Sequence, residues 1–488
     1  MESVGLLSVL PPVMAIALAL YTRQVFLSLL AGIWLGFTIL ADWNPFYGTL
    51  DTLEGLANVF SSNYNTKIVI FTLVIGGLIA LTQRSGGVDG FVRRILKYLD
   101  KESAKATTRG QRKKVEILAL LTGTFLFIES NISILTVGTL YRPVFDRLKI
   151  PREKLAYIAD STSAPSCILF PFNAWGAFII GHLATLGLTG GFNDLFKALI
   201  FNFYPMLVII IMLYVILSGR DIGEMKSAEV RAAETGKLIR DGAQPMVGDE
   251  ALEMPIKKGA IPKARNMIIP ILSLVALVPT FLIMTGWEAG KGDVFLALRE
   301  GSGGSSILYA SSFACIIAAL MYKLTGTLRI RESFDTFMKG MGALLPLAIL
   351  MVLAFAIGNI CNDLGTGDYV AEQASKYISP ALVPALIFVI TCFIAFSTGT
   401  SWGTFAIMLA IAVPLAQTMD TNVSLAIAAV LGGGIFGDHC SPTSDTSIIS
   451  SMASASDHID HIRTQLPYAL IGGVITFVLY LILGFAGI

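Results

Sequence analysis

The sequence predicts an all-α polytopic membrane protein built from two inverted repeats, each of five spans plus one re-entrant hairpin, with two interrupted helices. Three observations predict this. Hydrophobic residues make up 54% of the 488 and charged residues 14%, whereas a soluble chain carries about 25% charged residues. Lysine and arginine are so unevenly shared among the loops that they indicate which loops lie on the same side. Short echoes of sequence also recur in the same order in the two halves.

Apolar stretches of spanning length run over 4–22, 24–41, 66–83, 155–183, 198–218, 266–286, 305–323, 341–361, 424–453 and 466–486. The first is expected to stay as a helix, because Glu2 replaces a basic leader region and no cleavage signal follows. Two further stretches, 115–140 and 381–416, are read from their flanks. Before the first lie ten basic residues (Arg84, Arg93, Arg94, Lys97, Lys101, Lys105, Arg109, Arg112, Lys113 and Lys114). After it lie Arg142, Arg147, Lys149, Arg152 and Lys154. Both flanks belong inside, so the segment enters and leaves on one side, with Glu129-Ser130-Asn131 at its tip. The flanks of 381–416 hold only Lys376 and belong outside, with Ser397-Thr398-Gly399-Thr400-Ser401 at the tip. This threading leaves only Lys67, Lys197, Lys291, Arg299 and Lys376 outside, and places both termini outside the inner membrane of a bacterium.

The echoes set the repeat. Gly86-Gly87-Val88-Asp89 matches Gly365-Thr366-Gly367-Asp368 at an offset of 279, and Thr122-Gly123-Thr124 matches Thr398-Gly399-Thr400 at 276. Asp51-Thr52 echoes Asp335-Thr336, and Asp160 with Pro165 echoes Asp438 with Pro442. An odd number of spans per repeat inverts the second copy. The chain thus divides into a first repeat (1–218), a cytoplasmic linker (219–263) and a second repeat (264–488). Residues 87–100 read as an amphipathic surface helix. Cys167, Cys315, Cys361, Cys392 and Cys440 lie far apart and read as buried free thiols.

The strongest chemical signal is Gly437-Asp438-His439-Cys440-Ser441-Pro442-Thr443-Ser444-Asp445-Thr446-Ser447, which interrupts the apolar stretch 424–453. Gly432-Gly433-Gly434 and Pro442 weaken helical hydrogen bonding there. Backbone unwound at membrane depth leaves carbonyls that protein, water or an ion must satisfy. Hydroxyls, carbonyls and a carboxylate are hard oxygen ligands that suit Na⁺. Desolvation raises a carboxyl pKa and a bound cation lowers it, so one Asp can trade H⁺ for Na⁺. The plainer alternative is a polar kink whose hydroxyls bond helix carbonyls.

In the first half the partner motif is Asp160-Ser161-Thr162-Ser163-Ala164-Pro165-Ser166, expected to break 155–183. The expected ion- or substrate-binding set follows. It comprises Ser130 and Asn131; Asp160, Ser161, Thr162 and Ser163; Thr398, Thr400 and Ser401; and Asp438, Ser441, Thr443, Ser444 and Asp445. The candidates to carry a proton are Asp438, Asp445, Asp160 and Glu129. Two readings of Glu129 stand: a third titrating carboxylate, or the partner of a base at the cytoplasmic mouth. His439 either relays a proton or is bonded in the packing. His458 and His461, with Asp457 and Asp460, read as part of a solvated cytoplasmic loop, with a metal site as the lesser alternative; Trp175 reads as a packing or interface anchor, Asn173 as a cross-helix bond and Trp402 as a pocket wall. No transition-metal site, cofactor or nucleic-acid partner is expected.

At 437–451, GDHCSPTSDTSIISS, the chain resembles the NhaC family of Na⁺/H⁺ antiporters, with a looser likeness along most of its length. The resemblance implies an ion transporter with paired re-entrant hairpins, Na⁺ coupling and a homodimer. It admits Na⁺-linked carriage of a small organic solute, such as an amino acid or organic acid, beside Na⁺/H⁺ exchange by alternating access. Other classes fit worse. A hydrolase would need Asp438, His439 and Ser441 in triad geometry, which adjacent residues do not reach. An ATP-driven pump would need a GxxxxGK[ST] loop, absent here. A passive channel stays open as an alternative.

Overall fold

The computed structural model describes residues 5–22, 24–91, 93–94, 108–127, 129–188, 191–245, 255–257, 259–289, 292–294, 296–297, 301–442 and 444–487. The first half contains α1 (Leu10–Thr22), α2 (Val25–Leu40), α3 (Pro45–Asn58), α4 (Asn63–Arg84), α5 (Thr108–Phe125), α6 (Ser130–Arg147), α7 (Arg152–Leu169), α8 (Ala174–Thr185), α9 (Gly191–Ile200) and α10 (Phe203–Ser218). A short α11 (Gly223–Thr235) follows. The second half contains α12 (Arg265–Gly286), α13 (Gly303–Leu324), α14 (Ile330–Ala343), α15 (Leu345–Asp363), α16 (Thr366–Tyr377), α17 (Val383–Thr398), α18 (Ser401–Thr418), α19 (Val423–Cys440), α20 (Asp445–Ser454) and α21 (His458–Phe485). Among the described residues, nine helices are long and apolar enough to cross a membrane, or eleven with two bent pairs. Of the expected surface helix, 87–91 and 93–94 are helical and 95–100 lie outside the described residues.

The two halves correspond in length as well as order. The pairs α6 and α18, and α7 and α19, are 18 residues each and start 271 positions apart, at Ser130 and Ser401 and at Arg152 and Val423. Pro143 and Pro414 sit at matched points inside α6 and α18, and Lys149 and Asp420 share a left-handed turn at φ 53° and 51°. Upstream the offset is 279. It pairs the left-handed Gly86 (φ 68°) with Gly365 (φ 67°) and brings Thr72 Oγ1 within 3.1 Å of Met351 Sδ. The echo at 279 is therefore structural. The echoes at 276 and between Asp160 and Asp438 are not, because the register of 271 sets Asp160 opposite Leu431 and Ser130 opposite Ser401.

Each half has one helical hairpin and one broken helix. α5 and α6 turn back at 126–129, and α17 and α18 at Gly399-Thr400, where Gly399 takes a left-handed φ of 68°. α19 lies close against α17: a Cβ on Gly437 would meet Cys392 O and Ala395 Cβ at 2.5 Å, so only glycine permits this crossing.

The second break falls where the sequence places it, at 441–444 between α19 and α20. The first does not. α7 runs unbroken through Asp160–Ser166, and the chain bends by 43° only after Leu169. Thr162 Oγ1 donates to Ile158 O and Ser163 Oγ to Asp160 O, so these hydroxyls bond to carbonyls of their own helix. The break waits for Pro171, which forces Phe170 into extended backbone.

The segment after α10 is a clasp. α11 packs on α7 and α21. Arg231 pairs with Glu153 (2.8 Å), Lys154 with Asp221 (2.8 Å) and Glu229 (3.3 Å), Arg112 with Glu229, and Arg240 with Asp460 (3.1 Å). Farther on, Lys257 pairs with Glu332 (2.7 Å), and Arg84 donates to Pro255 O.

Asp457 caps α21 and also accepts from Gln244 N (2.8 Å). Partial burial raises its carboxyl pKa, but the backbone N–H groups of Gln244, Asp460 and Ile459 outweigh this and hold it below the usual 3.8. A lowered folded value means that the stabilisation is complete above the ordinary carboxylate range and is lost as pH falls through the folded value. The Gln244 amide is therefore expected to stay protected from hydrogen exchange at neutral pH in the parent, and to lose protection there in Asp457→Ala. Equal protection in the two proteins would remove this role.

Candidate ion site at the second helix break

Two prolines and two caps build the site. After α19, Ser441 is extended ahead of Pro442, and Ser444 caps α20 by accepting from Ser447 N (3.3 Å). After α7, Asn173 caps α8, accepting from Trp175 N (2.9 Å) and Gly176 N (3.1 Å). Its amide also donates to Phe127 O (2.7 Å), tying this break to the first hairpin turn. The bond expected to run from Asn173 to another helix instead reaches a turn.

Both hairpin turns and the second break face one cavity of about 290 Å³. One wall is apolar and comes from outside the hairpin bundle: Phe26 of α2 and Leu344, Pro346, Leu347 and Leu350 at the start of α15. The other wall carries Glu129, Ser130, Asn131, Thr400, Ser401, Asp438 and Thr446, with Trp175 and Trp402 at its edge. Among the described residues, no Lys, Arg or His lines it.

Asp438 is 1% exposed in the last turn of α19. Its Oδ1 accepts from Ser444 Oγ (2.7 Å) and its Oδ2 from Ser401 Oγ (3.2 Å). Ser444 Oγ is itself 3.0 Å from Thr446 Oγ1. A carboxylate desolvated this far needs such donors or a cation. Two acids among hydroxyls make a hard, negative oxygen set, the kind that hard cations prefer. Glu129 caps α6, its Oε2 accepting from Ile132 N (2.7 Å), and faces the same cavity.

The structure thus brings together Ser130, Asn131, Thr400, Ser401 and Asp438, with Ser444 just behind. It separates the rest. Thr398 bonds Ile394 O inside α17, and Ser441 is buried beyond the cavity wall. Thr443 and the Asp445 side chain lie outside the described residues. Asp160, Ser161, Thr162 and Ser163 do not line the cavity. Asp160 is fully buried, its Oδ2 accepting from Ser447 Oγ (2.8 Å) and Gln465 Nε2 (2.8 Å) with His461 Nε2 at 3.2 Å.

Two histidines need correction. His461 is fully buried, not in a solvated loop, because α21 begins at His458 and turns it inward. His458 bridges Ser451 Oγ (3.0 Å) and Pro442 O (2.7 Å), across the break. Trp175 is a buried packing anchor as expected, with its ring 4.4 Å from that of Trp402 at the cavity edge. Gln465 escaped the sequence reading. Its signal was an amide one turn after His461 on the same face of an apolar helix.

Residues 190–485 match the model of the Na⁺/H⁺ antiporter family. The chain belongs to that family. An uncharacterized protein of Haemophilus influenzae is 35% identical over 98% of this chain and 91% of its own length. The arginine/ornithine antiporter of Halobacterium salinarum is 25% identical over 46% of this chain and 42% of its own. The fold is also that of the crystal structure of the Alcanivorax borkumensis YdaH transporter, with a TM-score of 0.55 at 13% identity, covering 89% of this chain and 90% of that one. As a member of the Na⁺/H⁺ antiporter family, the protein is a multi-pass membrane transporter and not an enzyme.

Proposed function

We propose that the protein exchanges Na⁺ for H⁺ by alternating access across a bacterial inner membrane, with Na⁺ held by Asp438, Ser401 and neighbouring oxygens of the cavity. The observation that carries this is the Asp438 carboxylate, 1% exposed yet opening onto the cavity between two hydroxyl donors. Proton entry down its gradient supplies about 2.3 kcal/mol per charge per 100 mV. The position of the cavity, between the hairpin bundle and the apolar wall of α2 and α15, supports alternating access.

A second reading has its own support. A cavity of about 290 Å³ flanked by two indoles exceeds what a bare ion needs, and a similar protein is an arginine/ornithine antiporter. Na⁺-coupled movement of a small organic solute fits those features. One experiment separates the two. Liposomes holding the protein, an acid lumen and a pH dye are expected to alkalinise when Na⁺ is added outside. No proton movement, with Na⁺-dependent uptake of a labelled amino acid, would favour the solute carrier.

A further inference from the structure

The buried cluster around Asp160 is not used by the cavity, and its chemistry differs. Asp160 and His461 are both fully buried, with His461 Nε2 3.2 Å from Asp160 Oδ2. Among the described residues, Asp160 Oδ1 and His461 Nδ1 have no hydrogen-bond partner. A carboxylate and an imidazole in contact are neutral as a pair when they share one proton, wherever that proton sits. Without it the pair carries a full negative charge in an enclosed space, which is costly unless a cation is near. The other titratable groups facing Asp160 are His439 and Cys440 of α19 and Tyr204 of α10.

The first turn of α20 joins this cluster to the cation site. Ser444 Oγ bonds Asp438, and one turn on Ser447 Oγ bonds Asp160. The Gln465 amide makes a second link, donating to Asp160 Oδ2 and to His439 O beside Asp438. A positive charge arriving at Asp438 therefore stabilises the unprotonated pair, and its departure favours reprotonation.

We propose that Asp160 and His461 hold the exchanged proton in a site of their own, so that Na⁺ and H⁺ displace one another across α20 without sharing a ligand. The proton passes from water to the pair when Asp438 is empty and returns to water when Na⁺ binds. This rests on the exchanger reading above and adds a division of labour between the two carboxylates.

The test uses the full chain in liposomes, with Asp160→Asn and His461→Gln as independent variants and Asp160→Glu as the conservative control. Three quantities are measured: Na⁺-driven alkalinisation, radiolabelled Na⁺/Na⁺ exchange at equal pH, and Na⁺ affinity against pH by tryptophan fluorescence. In the parent, competition with one proton makes the apparent Na⁺ affinity fall about tenfold per pH unit on the acid side. Both variants are expected to lose alkalinisation, keep Na⁺/Na⁺ exchange within about twofold, and flatten the pH dependence of affinity. Asp160→Glu is expected to retain that dependence. A variant that keeps the parental slope, or loses Na⁺/Na⁺ exchange together with proton movement, overturns the separate proton site. A parent that moves no protons against Na⁺ removes the exchanger reading itself, and this proposal with it.

Discussion

Asp438→Asn is expected to reduce Na⁺-driven proton movement in liposomes at least ~100-fold, equivalent to about 2.7 kcal/mol or more. Asparagine has nearly the shape of aspartate, and its amide oxygen can still accept from Ser444 or Ser401. Packing is therefore kept and the loss is one of charge. A neutral amide offers a desolvated cation one dipole where the carboxylate offered a full countercharge. Ser401→Ala removes only one neutral oxygen, so about tenfold or less is expected from it. The check is the transport rate normalised to reconstituted protein, with an unchanged elution profile to show an intact fold. Transport by the asparagine variant at the parental rate would place the ion elsewhere.

Lys154→Met has the largest expected effect on stability, about 3–5 kcal/mol of destabilisation. The Lys154 side chain is 3% exposed, 2.8 Å from Asp221 and 3.3 Å from Glu229. Removing this positive charge leaves the buried Asp221 carboxylate without a cationic partner and Glu229 with Arg112 alone. Adding Asp221→Asn to Lys154→Met is expected to recover much of the loss, because the stranded charge goes with it. Thermal unfolding in detergent measures both. An unchanged midpoint for the single variant would show that water reaches this end of the bundle freely.

Much of the architecture was legible because its causes are local. The basic residues on both flanks of 115–140 led to the expectation of a hairpin there, and α5, ending at Phe125, packs against α6, beginning at Ser130. Glycines and Pro442 marked the second break for the same reason that they create it. The first break was misplaced because Ser161–Ser163 resembled the second motif in composition, whereas Thr162 and Ser163 bond to their own helix. The decisive residue was Pro171, ten positions on in a run of phenylalanines that read as continuous helix.

The candidate site was half legible. Asp438, Ser401 and Ser130 carry their signal in the motifs at the break and the turns. The partners of Asp160 do not, since Ser447, His461 and Gln465 converge on it from sequence positions 287 to 305 residues away. Only the packing of α7 against α20 and α21 brings them together. The clasp after α10 was hidden likewise: a mixed-charge stretch reads as solvated until its partners Glu153 and Asp460 are known to face it.

The matched lengths of α6 with α18 and of α7 with α19 have a mechanical consequence. If the alternating access proposed above runs by exchange of shape between the halves, each would take up the shape its twin now holds without any of these helices gaining or losing a residue. Were the halves to trade shapes, the present mouth of the chamber would shut and another would open on the opposite face. A single conformation thus already contains the template for both ends of the working cycle.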